Sequence, residues 1–165
     1  MFSRKEIEDL VISTIAVALI FSSFNLEILP LTILIVIVVF ISHELAHKFT
    51  AQRYGFFAEY RKWNTGILLG LVLALLGGAG FAAPGAVYIT PFNRKKFAFR
   101  VIRITKDQTG KISFAGPLTN IIIGIGALVV NFFYPWSILI LLARISLFLS
   151  LFNLIPFPPL DGFKV

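Results

Sequence analysis

The sequence predicts an all-α polytopic membrane protein with about four transmembrane helices and a re-entrant segment carrying a short β element. Three observations predict this class. Apolar residues make up 58% of the 165 residues and charged residues only 14%, and the mean hydropathy is +0.89, far from the profile of a soluble domain. The apolar residues gather in stretches near spanning length, at 10–25, 29–49, 112–133 and 136–156, the first only just long enough. The basic residues gather between those stretches, so the net charge of +7 reads as membrane-flanking. They form no single long basic face, and no nucleic-acid partner is expected.

The first stretch follows a basic start, Arg4 and Lys5, as a signal peptide would. Glu6, Glu8 and Asp9 interrupt that pattern and no small-residue cleavage site precedes the next apolar run, so a retained helix is expected. Lys and Arg of short loops are kept on the cytoplasmic side. All of them except Arg144 lie at Arg4 and Lys5, from Lys48 to Lys62, from Arg94 to Lys111, or at Lys164. The connections at 24–30 and 131–136 contain none and should face outward, with Phe132, Phe133, Tyr134 and Trp136 as an interfacial belt. The N-terminus is thus expected inside. A fifth apolar stretch, 66–83, has basic clusters on both sides and holds Gly66, Gly70, Gly77, Gly78 and Gly80. A full crossing would put one cluster outside, so a re-entrant dip from the cytoplasmic side is expected, followed by a short strand at 86–90. Gly116, Asn120 and Gly124 recur every four residues as a small face that lets the third span pack closely. Arg144 lies inside the fourth span, where it must snorkel or face a wet cavity, with Glu27 the nearest candidate partner.

The absence of cysteine excludes thiolate metal sites, disulfides and cysteine nucleophiles, and leaves His, Asp and Glu to hold any metal. Near the end of the second span, Ser42-His43-Glu44-Leu45-Ala46-His47 contains a His-Glu-x-x-His pattern. Residues four apart share a helix face, so His43 and His47 can bind one metal while Glu44 takes a proton from its water. The chain has only these two histidines, and an ionisable group within an apolar span defaults to function. Catalytic zinc uses three protein ligands. Of the 8 acidic residues, those near the N-terminus, Glu27 outside, and Glu59 and Asp107 in basic loops are poorly placed. Asp161 remains, at the inward end of the fourth span; its alternative is a solvated turn residue.

The tail Asn153-Leu154-Ile155-Pro156-Phe157-Pro158-Pro159-Leu160-Asp161-Gly162 matches the Asn-x-x-Pro-x-x-x-Leu-Asp-Gly motif of the site-2 protease family of intramembrane zinc proteases. His43 to His47 matches that family's other signature, and Gly116-Pro117-Leu118-Thr119-Asn120 is similar to the start of its middle core helix. The resemblance covers about residues 30–162. It implies a three-helix core with one Zn2+ per chain held by His43, His47 and Asp161, and Glu44 as general base. It implies a substrate- or oxyanion-holding role for Asn153, or else an interhelical hydrogen bond there. It also implies a re-entrant β element between the first two core helices. Residues 1–165 then read as a single transmembrane catalytic domain, complete or truncated at its C-terminus.

The expected function is hydrolysis of peptide bonds in transmembrane protein substrates within the lipid bilayer, with the active-site end toward the cytoplasm. A strand at 86–90 would receive the unwound substrate by strand addition, and 77–85 would supply the flexibility for entry. A metal-ion permease and a catalytically inactive membrane scaffold are the alternatives. Oligomeric state, substrate identity and cleavage position are not legible.

Overall fold

The computed structural model describes residues 2–77, 83–90 and 103–165. In chain order the elements are α1 (Arg4–Phe21), α2 (Leu29–Val36), a π-helical segment (Ile37–Ile41), α3 (Ser42–Arg53), β1 (Phe57–Lys62), α4 (Asn64–Leu75), β2 (Gly85–Thr90), α5 (Lys106–Phe133), α6 (Ser137–Asn153) and a 3-10 turn (Asp161–Phe163). They form two compact units, one of residues 1–41 and 59–88, the other of 42–58 and 89–165. Gly78, Gly80 and the basic residues from Arg94 to Arg100 lie outside the described residues, as does most of the segment expected to give flexible entry.

In the first unit α1 starts well before the apolar run. Ser3 caps it, its Oγ accepting from the Glu6 N–H at 3.1 Å. Of the acidic residues of its first turns Glu8 is exposed, whereas Glu6 and Asp9 are buried. Glu6 accepts from the Tyr60 backbone N–H at 3.0 Å, and Asp9 faces Arg61 at 3.7 Å. The Tyr60 hydroxyl donates to Ser13 Oγ at 2.8 Å, and its ring meets Phe40 edge-on at 5.8 Å between centroids. Polar anchors of this kind tie strand to helix where burial removes water as a partner. Around them Leu10, Val17, Ala18, Ile20, Val36, Phe40 and Ala74 complete an apolar cluster.

β1 was not expected. Glu59 lies in this strand, bonded to Arg61 at 2.7 Å and to the Ser3 hydroxyl, and not in a basic loop. β1 and β2 pair in a two-stranded sheet. Between them α4 has 12 residues, a rise of about 18 Å, well short of a hydrocarbon core of about 30 Å.

Among the described residues two helical runs are long and apolar enough to cross a bilayer, Leu29–Arg53 and Lys106–Phe133, where about four spans were expected. α1 is charged through its first turns, and α6 is apolar but has 17 residues. Arg144 is exposed on α6.

The second unit is built on α5. A capping box, Thr105 with Gln108, starts the helix before the apolar stretch begins. Its buried stripe runs through Ile112, Ser113, Gly116, Pro117, Asn120, Gly124 and Ala127. The small face expected there serves two neighbours. A Cβ on Gly124 would come within 2.6 Å of Leu147 on α6, while Gly116 is turned to α3. Ser146 and Ser150 of α6 donate to the carbonyls of Asn120 and Pro117 at 2.8 and 2.9 Å. Hydroxyl bonds of this type join helices where apolar burial provides little net drive.

Candidate metal centre

α3 presents His43 and His47 one turn apart, both buried, with ring centroids 4.6 Å apart. The 3-10 turn after α6 carries Asp161 to the same point. Gly162 permits this approach, because a Cβ there would strike the Leu154 carbonyl and lie 2.8 Å from that of Ile155. His43 Nε2 is then 3.2 Å from Asp161 Oδ2, His47 Nε2 3.0 Å from the same oxygen, and the two Nε2 atoms 3.0 Å apart. Donors about 2.0–2.1 Å from a tetrahedral zinc ion lie about 3.3 Å from one another. The observed triangle is close to one face of that tetrahedron, and His and Asp donors suit zinc, so the residues fit the ion.

The tautomer of His47 is set by the backbone. Its Nδ1–H donates to the Ile112 carbonyl at 2.7 Å, which turns Nε2 toward His43 and Asp161 as the nitrogen placed to coordinate. Burial alone would raise the Asp161 pKa, but its hydrogen bonds with His43 and His47 outweigh this and hold the carboxyl well below the usual range. The carboxylate is therefore charged and ready as a ligand at neutral pH. Glu44, next in the chain to His43, is also buried, and its Oε2 has no hydrogen-bond partner among the described residues.

Of the residues expected at the site, His43, His47 and Asp161 converge. Asn153 instead ends α6, half-buried, its Nδ2 donating to the Leu149 carbonyl at 2.9 Å within its own helix. Two residues read from the sequence only as packing lie against the histidines. A Cβ on Gly116 would fall on His47 Nε2 and within 2.7 Å of His43 Nε2, so only glycine leaves room there. Asn120 Nδ2 lies 3.2 Å from His43 Nδ1. The signal for both was their place on one face of α5, together with an amide in an apolar span.

No family model matches the chain, and no solved structure matches it. Curated relatives do. The chain is 29% identical over 166 residues to "Putative zinc metalloprotease YwhC" of Bacillus subtilis, covering 88% of this chain and 71% of that protein. It is 29% identical over 128 residues to "Zinc metalloprotease MJ0392" of Methanocaldococcus jannaschii, covering 74% and 29%. To "Putative zinc metalloprotease MJ0611" of the same archaeon it is 43% identical over 171 residues, covering 99% of this chain and 84% of that protein. An identity of this level along nearly the whole length, in a chain that brings two buried histidines and a half-buried aspartate together, means that the chain belongs to this family of zinc metalloproteases.

Proposed function

We propose that the protein is an intramembrane zinc metalloprotease of the site-2 type, which cleaves transmembrane protein substrates. The observation that carries this reading is the triangle of His43 Nε2, His47 Nε2 and Asp161 Oδ2, with edges of 3.0–3.2 Å, on a helical run apolar enough to cross a bilayer. The three residues are the ligands of one zinc ion. When bound, zinc lowers the pKa of a water to about 7 and polarises a carbonyl.

The chain's own residues supply the rest. Glu44 accepts the water's proton and passes it to the leaving amine; its Oε2, buried and unpartnered among the described residues, is an acceptor waiting for a donor. A buried glutamate directly beside the two histidines favours hydrolysis over a permease or a scaffold, since neither needs an acid at that position. His47 is held in coordinating form by the Ile112 carbonyl. Asn153 holds the substrate or the developing oxyanion once its bond to Leu149 opens. A substrate helix must unwind before its carbonyls can be attacked, and strand addition to β2 receives the extended segment. The short α4 supports a re-entrant passage that leaves both its ends, the N-terminus and the site on the cytoplasmic side.

The test is incubation of the detergent-purified, zinc-loaded chain with a model transmembrane substrate, with and without a chelator. Cleavage that stops with the chelator and returns with zinc is expected. A zinc-loaded chain that leaves both transmembrane and soluble substrates intact would sink the protease reading, and one that cuts only soluble peptides would sink its intramembrane part.

A further inference from the structure

Asn120 is wholly buried in the stripe of α5, with 0% exposure. An amide removed from water needs partners at both ends. Its Nδ2 lies 3.2 Å from His43 Nδ1, while its Oδ1 has no hydrogen-bond partner among the described residues. The backbone of the same residue is anchored, because Ser146 Oγ donates to its carbonyl at 2.8 Å. The side-chain amide is the part left free to turn.

His47 illustrates what a ligand histidine requires. Its Nδ1–H is engaged by a carbonyl oxygen, an atom that only accepts, so a proton is kept on Nδ1 and Nε2 is the nitrogen left to the ion. His43 has the same need, since its Nε2 is the atom that meets His47 and Asp161. Once that Nε2 lone pair coordinates, Nδ1 carries the hydrogen. The NH2 end of Asn120 only donates and would oppose it, whereas the carbonyl end accepts. A half-turn of the amide exchanges two ends of nearly equal size. It removes the donor–donor opposition and gives the orphaned oxygen its partner.

We propose that Asn120 is a positioning residue for the metal: its side-chain oxygen accepts from His43 Nδ1–H, fixing the tautomer and ring angle that aim Nε2 at the ion. The proposal rests on His43, His47 and Asp161 being the ligands. It gives the two histidines unlike supports, a backbone carbonyl for His47 and a side-chain amide for His43. The amide matches either tautomer, because its NH2 end suits a His43 that donates from Nε2 to Asp161.

Zinc affinity of the full-length purified chain, measured by competition with a chromophoric chelator, tests this without reference to activity. Asn120→Leu, which fills the space without an acceptor, should weaken binding about 10–100-fold, the usual cost of losing such a support. Asn120→Ala should do the same, and carries the test should the leucine variant fail to fold by circular dichroism and gel filtration. Asn120→Asp keeps an acceptor for Nδ1–H and should bind close to wild type. In the cobalt-substituted chain, the leucine variant should show a shifted visible spectrum and the aspartate variant a spectrum near wild type. A merely packing role predicts the opposite order, with leucine neutral and a buried aspartate harmful. Leucine and alanine variants that bind zinc as tightly as wild type would overturn the proposal and leave the protease reading intact. Normal affinity losses in a chain that cleaves nothing would overturn that reading and leave the Asn120 assignment standing. A folded wild-type chain that binds no zinc would overturn both.

Discussion

Asp161 and Glu44 both carry carboxyl groups, but the proposed mechanism assigns them different duties. One oxygen of Asp161 meets both histidines at 3.2 and 3.0 Å, whereas Glu44 Oε2 meets no hydrogen-bond partner among the described residues. Asp161→Ala should leave two protein ligands where three are needed, so that zinc and cleavage are lost together. Glu44→Gln should keep about one zinc per chain while turnover falls by about 10²–10⁴-fold, the usual contribution of a general base. Zinc content and cleavage measured on the same samples separate the two duties, and a normal zinc content in Asp161→Ala would remove it from the ligand set. Gly116→Ala is a third probe, because the added methyl would fall on the histidine nitrogens. Overpacking of this kind costs about 1–3 kcal/mol, so a lower melting temperature should accompany weak zinc binding. The convergence of His43, His47 and Asp161 was legible because the histidine spacing is local and helical and few acidic residues competed with Asp161. Asn120 was not, since its significance depends on which atom of His43 it meets across 77 residues of chain.

Among the elements, apolar patterning located the helices better than it located their ends. α3 runs on to Arg53 and α5 begins at Lys106, because caps and hydrogen bonds, which hydropathy does not register, decide where a helix stops. α6 ends at Asn153, three residues before Pro156, whose ring disfavours helical geometry just ahead of it. β2 was visible in its β-branched and aromatic residues. β1 was hidden, since Glu59, Arg61 and Lys62 read as a charged loop, and the partners that bury it, Glu6 and Asp9, are distant in sequence. Proline at Val87 removes a backbone donor from β2; if strand addition receives substrate, cleavage should fall while zinc content holds, and unchanged cleavage would discard that role. Between α5 and α6, Ser146→Ala and Ser150→Ala should each cost about 0.6 kcal/mol, the mean for interhelical hydrogen bonds in a membrane. Reversible unfolding in micelles would measure both, and a stabilised variant would show that these hydroxyls do not join the helices.

For the molecule as a whole, topology is the property most open to direct measurement. If the segment around α4 does not cross, cysteines placed at the exposed Gln52 and Asp107 should react with an impermeant thiol reagent from the cytoplasmic side only. A cysteine at Tyr134, 65% exposed beyond the end of α5, should react from the opposite side. Labelling of Gln52 and Asp107 from opposite faces would mean a full crossing between them. The spread of the proposed ligands along the chain bears on how the protein is made. His43 and Asp161 meet although 118 residues separate them, and the carbonyl that orients His47 lies 65 residues after it. During synthesis the histidine motif therefore emerges with neither its third ligand nor its backbone support. Tight metal capture must wait until α5 has docked and the turn after α6 has left the ribosome. Under the proposed function, a nascent chain is thereby born without hydrolytic power, and translation itself would serve as the delay that protects neighbouring membrane proteins until folding is done.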